Sequence, residues 1–598
     1  MKFLMQIASL SAQLRRAVLV LVSALVTLMA CTSPSDQPVT LTDQPSLNTS
    51  PSNTENKAAE VDRQEAEAPA TELHEALPQQ MSAHRSAALK QRAVGMSYDM
   101  ALIAPGQLAH IQMPAEPANR ENYAHYDSNP VKLVTENPVS TFSIDVDTGA
   151  YANIRRMLNN GQLPPQDAVR VEELINYFSY KYDTPRNERA PFSINMEIAP
   201  TPWNSNTHLL QVGLKGYEVA AAERPAANLV FLVDVSGSMQ DQNKLPLLKN
   251  SFRMLTKQLT ANDTIALVVY AGSTGIILEP TAGNKKATIM SALDQLAAGG
   301  STNGAAGIDL AYQMAEQAFI KDGINRVILA TDGDFNVGTV NFEALIDMVE
   351  LRRKKGISLT ALGFGSGNYN DQLMEQLADE GNGNYAYIDS LNEARKVLVE
   401  ELSSTLQTIA KDVKIQIEFN PEIVAEYRLI GYENRMLRRE DFNNDKIDAG
   451  EIGAGHTVTA LYEISLVGSE GQRVDPLRYG RQDDAGNKQA DSELAFVRLR
   501  YKAPNDDTSK LIEQPLQRSD IVEFANASSE LQFAAAVAAF GQQLRGGDYL
   551  EDFGFDDVRK LANQSRGADP HGYRGEFVSL VNLADSLSEQ EPDKVAAR

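Results

Sequence analysis

The chain has 598 residues, which at ordinary domain sizes corresponds to roughly three to five domains. Its 79 acidic and 55 basic residues leave a net charge of -24, which disfavours binding to nucleic acid or to an anionic membrane surface through bulk electrostatics. One cysteine excludes an internal disulfide and a Cys-rich zinc site, and the seven histidines form no H-E-x-x-H pattern, so any metal site must use oxygen ligands.

The amino-terminal segment has the layout of an export signal. Lys2, Arg15 and Arg16 precede an apolar run over residues 17–30, and the one cysteine, Cys31, follows directly. A transmembrane helix is the weaker alternative, because the run is shorter than the about 20 apolar residues that span a bilayer. The residues ending at Cys31 resemble the bacterial lipoprotein signal, which implies removal of residues 1–30 and attachment of diglyceride and palmitate at Cys31. A thiol beside an ordinary secretory cleavage site is the other alternative.

A long polar segment follows the cysteine. By the sorting pattern of such lipoproteins, Thr32 in place of an aspartate implies delivery to the outer membrane of a double-membraned bacterium. Residues 32–97 contain no aromatic residue and cannot bury enough apolar surface to offset chain entropy. We therefore predict a tether over residues 31–130 that holds the folded part away from the bilayer.

Residues 131–225 predict a mixed extension. Val171, Leu174, Ile175 and Phe178 fall on one helical face, and two strand-like runs follow, FSINMEIAP and HLLQVGLKGY.

Residues 226–410 alternate between strand and helix patterns. The first strand, LVFLV, is continuously apolar, as in a strand buried on both faces of a parallel sheet. Ser390 and Glu393 form a capping-box pattern for a last helix that runs towards Ile409. The order predicts an α/β fold with a doubly wound, mostly parallel, Rossmann-like sheet, in which ligands bind at the carboxyl ends of the strands.

Three loops at that edge carry oxygen ligands. The candidate residues are Asp234, Ser236 and Ser238 in the first loop, Thr302 in the second and Asp332 in the third. Carboxylates and hydroxyls without nitrogen or sulfur suit a hard cation, with Mg²⁺ the first candidate and Mn²⁺ and Ca²⁺ the alternatives. We expect Gly237 to permit a tight bend between the two serines. A simple strand-end turn with serine as a helix cap is the alternative explanation of the first loop.

Residues 228 to about 409 resemble a von Willebrand factor A domain, and the five candidate residues match its metal-ion-dependent adhesion site. The resemblance implies that the hydroxyls touch the cation, that Asp234 and Asp332 hold it partly through water, and that an acidic side chain of a protein partner completes the coordination. Asp334 lies outside the pattern. The whole chain is similar to a group of bacterial lipoproteins in which this domain sits between two family-specific extensions. We therefore expect a binding protein of the cell envelope rather than an enzyme.

The remaining residues predict two further parts. Residues 411–510 read as a β-sandwich, and residues 511–598 as a helical region. The strands before the A domain are candidates for the same sandwich. Pairing of the strand that contains Leu210 with a strand after the A domain would decide this. Asp441, Asn443 and Asp445 begin like a calcium loop, but lysine and isoleucine replace its glycine and bidentate acid, so we predict a polar turn.

Two rival functions remain open. Asp145 and Asp147 superficially resemble the aspartate pair of haloacid-dehalogenase-type phosphotransferases, a fold that needs a parallel sheet continuing from their strand. The second rival is a scaffold whose metal site is empty or internally occupied.

Overall fold

The computed structural model describes residues 121–590, except 145–146, 186–189, 220–222, 301–303, 334–341, 368, 402–403, 405, 448 and 476–491. The predicted signal peptide, Cys31 and the tether as far as residue 120 lie outside the described residues. Within the described ranges, no helix has both the length and the apolar character that crossing a membrane requires.

The elements follow in three groups along the chain. The first group is β1 (Lys132–Leu133), β2 (Val139–Ser143), α1 (Gly149–Asn159), α2 (Val171–Asn176), β3 (Phe192–Pro200) and β4 (His208–Gly216). The second group is β5 (Ala227–Asp234), α3 (Leu245–Gln258), β6 (Thr264–Tyr270), β7 (Thr274–Ala282), α4 (Lys286–Gln295), α5 (Gly304–Gln317), β8 (Ile324–Thr331), α6 (Phe342–Arg353), β9 (Ser358–Phe364), α7 (Asp371–Glu380), β10 (Tyr385–Ile388) and α8 (Leu391–Arg395). The third group is β11 (Thr408–Phe419), β12 (Val424–Ile430), β13 (Ile452–Gly453), β14 (Thr457–Leu466), β15 (Glu493–Lys502), β16 (Ser509–Gln517), α9 (Ser529–Leu544), α10 (Phe555–Ser565) and α11 (Tyr573–Gln590).

The second group forms the domain whose sequence resembles a von Willebrand factor A domain, hereafter the A domain. Its sheet has the order β10-β9-β8-β5-β6-β7, with β7 antiparallel to β6 and the other pairs parallel. Successive side chains of a strand point to opposite faces, so Leu229, Phe231 and Val233 pack with α3, α4 and α8, while Val230 and Leu232 pack with α5, α6 and α7. The predicted α/β fold with a mostly parallel sheet is confirmed.

The end of the A domain differs from the prediction. The Ser390 hydroxyl accepts a hydrogen bond from Glu393 N at 3.2 Å, as a helix cap should. However, α8 ends at Arg395, a π-helical turn runs over Lys396–Glu400, and helical residues recur as far as Leu406. The strand β11 begins at Thr408, so Ile409 itself lies in a strand and the helical region ends before it. The capping box is also incomplete, because the Glu393 carboxylate binds side chains from outside the A domain.

The A domain is inserted into a β-sandwich. One sheet has the order β1-β12-β14-β4-β3, the other has β13-β11-β15-β16 with β2 also paired to β11, and the two share one apolar core. Leu210 of β4 pairs with Tyr462 of β14, so the expectation that strands on both sides of the A domain belong together is confirmed. Residues 131–225 and 411–510 are therefore not separate parts. The strand β16 continues to Gln517, so helical structure does not begin at residue 511.

The helices of the first and third groups form a layer on the sandwich. Phe533 and Phe577 share a core with Leu209, Ile430 and Leu461, which lie on β4, β12 and β14. The apolar stripes of α9 and α11, which include Val537 and Val581, are buried in this core, as expected of packing surfaces.

The chain is already bound to the A domain at Glu121, so the tether ends before the predicted residue 130. Asn122 N donates to Tyr369 O at 3.0 Å, and the Glu121 carboxylate accepts from Gly367 N at 2.8 Å. Sequence alone did not reveal this contact, because it joins residues far apart in the chain.

Three arginines from outside the A domain bind carboxylates on it; two of them are buried and Arg435 is 13% exposed. Each guanidinium faces at least two acidic groups, and the carboxylates lie on α7, on α8 or just before α8. The pairs are Arg155 with Asp389 and Glu393, Arg170 with Asp371 and Glu375, and Arg435 with Asp379 and Glu375. This charged interface fixes one side of the A domain to the rest of the chain.

Candidate metal centre at the strand ends of the A domain

Asp234 ends β5 and is held rigidly. Its Oδ1 accepts from Ser236 N at 2.8 Å, and its Oδ2 accepts from the hydroxyls of Thr331 at 3.0 Å and Tyr270 at 3.3 Å. Burial raises the pKa of the Asp234 carboxyl, the hydrogen bonds from Ser236 oppose this, and the nearby charge of Asp332 adds to it. A nearby cation would therefore stabilise the ionised carboxylate.

Ser236 and Ser238 present their hydroxyls together. The two Oγ atoms are 2.9 Å apart, at the start of a short 3-10 turn over Gly237–Gln240. The chain bends tightly at Gly237, but the bend does not require glycine: the backbone there is not left-handed, and an added Cβ would meet only the Gly300 carbonyl oxygen, at an ordinary 3.7 Å. Alternation of Asp, Ser and Ser along the turn is enough to bring the side chains to one side.

The second loop begins beside the first. Gly299 N donates to Val235 O at 2.7 Å, and Gly237 N donates to Gly300 O at 3.1 Å. Thr302, two residues later, lies outside the described residues and stays a prediction.

Asp332 follows the last residue of β8 and is fully buried. Its Oδ2 accepts a hydrogen bond from the ammonium group of Lys244 at 2.9 Å, and the Lys244 side chain is 5% exposed. Lys244 immediately precedes α3 and was not predicted to belong to the site. No sequence pattern marks it, because the contact joins two residues that are distant along the chain.

The donor set fits a hard cation. The described members offer two buried carboxylates and two hydroxyls, with no nitrogen or sulfur ligand, which is the ligand chemistry of Mg²⁺, Mn²⁺ and Ca²⁺. No cluster of three His, Cys, Asp or Glu residues suited to a metal occurs in the described parts of the chain, so hydroxyls are essential to this candidate. Water or a partner would have to supply the remaining ligands.

The other residues singled out in the sequence have different surroundings. Asp145 and Asp334 lie outside the described residues. Asp147 accepts from Tyr385 N at 2.7 Å and from Arg435 at 3.2 Å. The preceding strand β2 pairs antiparallel with β11, so the parallel sheet that a dehalogenase-type site requires does not continue from it. In the calcium-loop mimic, Asp445 accepts from Arg500 at 2.9 Å, as in a polar turn.

Comparisons with known proteins cover most of the chain. A family model described as von Willebrand factor matches residues 117–211, and one described as von Willebrand factor type A domain matches residues 228–401. A third, described as Uncharacterized protein YfbK, C-terminal, matches residues 404–587. The uncharacterized protein YfbK of Escherichia coli (strain K12) is 48% identical over 493 residues, which are 81% of this chain and 84% of the relative. Human inter-alpha-trypsin inhibitor heavy chain H3 is 24% identical over 260 residues, 40% of this chain and 28% of the relative.

A solved structure, von Willebrand factor type A from Catenulispora acidiphila, aligns over 65% of this chain and 89% of that chain, with 15% identity and a TM-score of 0.36. The family assignment depends on the sequence matches, which extend through the A domain and both flanking regions. The chain therefore belongs to the YfbK family and is a von Willebrand factor type A domain-containing protein.

Proposed function

We propose that this protein binds a divalent cation at the A domain and captures an acidic side chain of a protein partner on that cation. The ligands are Asp234, Ser236, Ser238, Thr302 and Asp332, and the cation is Mg²⁺, with Mn²⁺ or Ca²⁺ as alternatives. The protein acts by binding rather than by catalysis.

The observation that carries this proposal is the convergence of prearranged oxygen donors at one sheet edge. Asp234 is held by three hydrogen bonds, the Ser236 and Ser238 hydroxyls lie 2.9 Å apart, and Asp332 is buried nearby. The loop that carries Thr302 is hydrogen-bonded to the serine loop at its base. Donors held in place in this way do not have to be ordered when the cation binds.

The charge of the site favours an acidic partner. A divalent cation bound by few anionic ligands keeps a positive surplus, which an incoming carboxylate neutralises in a partly desolvated site. The chain itself carries a net charge of -24 and would otherwise repel an acidic surface. The cation would therefore supply both the attraction and the specificity.

Capture of envelope proteins by the purified chain from Cys31 onwards tests this function. With Mg²⁺ present, a partner should bind, and EDTA or Asp234→Ala should reduce its recovery by about tenfold or more, as loss of a metal-centred contact does. Asp241→Ala is the matched control, since it removes an exposed carboxylate of the same loop. Quantitative mass spectrometry of crosslinked complexes provides the measurement.

A scaffold is the second candidate function, and one observation favours it: the Lys244 ammonium group already neutralises Asp332 from within the chain. In that case the wild type in Mg²⁺ would recover certain partners, and the same partners would be recovered in EDTA and by Asp234→Ala. That result would contradict the adhesion function.

We also propose that the protein is anchored in the cell envelope by lipid on Cys31, at the outer membrane, facing the periplasm or the cell surface. Each buried methylene of an acyl chain contributes about 0.8 kcal/mol, so two or three chains hold a protein stably. Labelled palmitate should be incorporated into the wild type and into Ser33→Ala, and Cys31→Ser should lose the label and leave the membrane fraction. Equal labelling of Cys31→Ser would show that the anchor is elsewhere.

A further inference from the structure

A buried lysine lies within the candidate metal centre. The Lys244 ammonium group is 2.9 Å from Asp332 Oδ2, and the side chain is 5% exposed. Asp332 is one of only two carboxylates among the five candidate ligands. The charge of the site therefore depends on Lys244 as well as on the ligands.

The fold holds this lysine in place. Gly365, after β9, has a φ of +80°, and a Cβ there would lie 2.3 Å from Lys244 Cε. The missing side chain thus leaves the space in which the lysine stem lies. Because the stem is buried against Gly365 at the end of β9, the ammonium group is kept at Asp332 rather than in solvent.

We propose that Lys244 is a built-in counter-cation of the metal centre, which lowers its affinity for a divalent ion and leaves a bound ion with uncompensated positive charge for an acidic ligand. This inference rests on the proposed function. It assigns Lys244 as a residue that sets the specificity of the site without being a metal ligand.

The charges explain both effects. Asp234, Asp332 and Lys244 together carry one net negative charge, whereas the two carboxylates alone would carry two. The three groups therefore attract a divalent ion less strongly than the two carboxylates alone would. Once the ion is bound, the site as a whole carries a net positive charge. Such a site holds its cation weakly in isolation and more firmly when a ligand carboxylate arrives, because the two bindings are thermodynamically linked.

Titration with Mn²⁺ alone, followed by the EPR signal of the free ion, tests this inference on the chain from Cys31 onwards. Lys244→Met should bind Mn²⁺ at least about tenfold more tightly than the wild type, since removal of a neighbouring positive charge in a buried site is worth that much or more. Lys249→Met is the matched control, because Lys249 lies in the first turns of α3, close to Lys244 along the chain. The Lys249 amine donates to the carbonyl oxygens of Asp294 and Leu296, away from the candidate ligands, and this variant should match the wild type within about twofold.

If Lys244 had a purely structural role, its replacement would damage the site and weaken Mn²⁺ binding. Tighter binding by the Lys244 variants therefore distinguishes an electrostatic role from a structural one. Lys244→Gln serves as a second uncharged variant, with an amide that can still donate a hydrogen bond if Lys244→Met fails to fold. Suppose that the wild type binds Mn²⁺ and that Asp234→Ala abolishes this binding. If a folded Lys244 variant then binds Mn²⁺ no more tightly than the wild type, the inference about Lys244 is overturned and the proposed function is not. If neither the wild type nor any variant binds Mn²⁺, or if Asp234→Ala leaves the binding unchanged, the proposed function and this inference are overturned together.

Discussion

Replacing Asp332 by alanine is expected to weaken divalent-cation binding by about 100-fold or more and to lower the free energy of unfolding of the apo A domain by about 3–5 kcal/mol. The first effect follows because Asp332 supplies one of the two candidate carboxylates. The second follows because the substitution removes the carboxylate that faces the buried Lys244 ammonium group at 2.9 Å. Isothermal titration with Mg²⁺ and urea unfolding in EDTA measure the two effects separately.

A double variant separates the structural role of Asp332 from its role as a ligand. Asp332→Ala combined with Lys244→Met removes both charges of the pair, so stability should return towards the wild-type value. Cation binding should stay weaker than in the wild type, because a ligand is still missing even though the opposing charge of Lys244 is gone. Full recovery of cation binding would show that Asp332 is not a ligand, and no recovery of stability would show that the ion pair is not the cause of the loss.

Replacing Arg155 by methionine is expected to lower the free energy of unfolding by about 3–5 kcal/mol, because it breaks a buried ion network and leaves its acids behind. The guanidinium binds Asp389 at 2.5 Å and Glu393 at 2.7 Å and also donates to the Tyr177 hydroxyl at 2.9 Å. Burial already raises the pKa of Asp389, and Arg155 is the principal group that counteracts this, so its loss favours the protonated acid. Urea unfolding, followed by circular dichroism, measures the change.

The matched control for this prediction is Arg253→Met. Arg253 pairs with Asp294 at the surface, where the two side chains are 32% and 63% exposed, and an exposed pair contributes about 1 kcal/mol or less. Equal effects of the two substitutions would contradict a special role of the Arg155 network in fixing the A domain. A large effect of Arg155→Met alone would support it.

The A domain was predictable because its signals are local. A buried central strand such as Leu229–Val233 is continuously apolar, helices such as α3 repeat apolar residues at three and four positions, and both patterns can be read within a short window. The candidate site followed from the fold class, since parallel strands bring their carboxyl ends to one edge. This is why Asp234 and Asp332, on loops far apart in the chain, could be assigned to one site.

The helix that was predicted to run towards Ile409 ends earlier, because the sequence near a helix end does not fix where it stops. A cap at Ser390 correctly indicates where a helix begins, but the end of α8 is set by partners elsewhere in the chain. Arg155 and Tyr177 engage the Glu393 carboxylate, and the chain from Thr408 is taken into the sandwich as β11. Local propensity does not contain these contacts.

By itself, the sequence determined the strand and helix order of the A domain, the oxygen chemistry of its candidate ligands and the class of cation that they suit. Only the tertiary structure decided that two separated segments form one sandwich, that three arginines fix the A domain to it, and that Lys244 faces Asp332. The physical reason is that strand and helix patterns reflect each residue's immediate neighbours and its burial. Ion pairs and strand pairings instead join residues that are tens to hundreds of positions apart. Many partners of the right charge or hydrophobicity are compatible with the same local pattern until packing selects one.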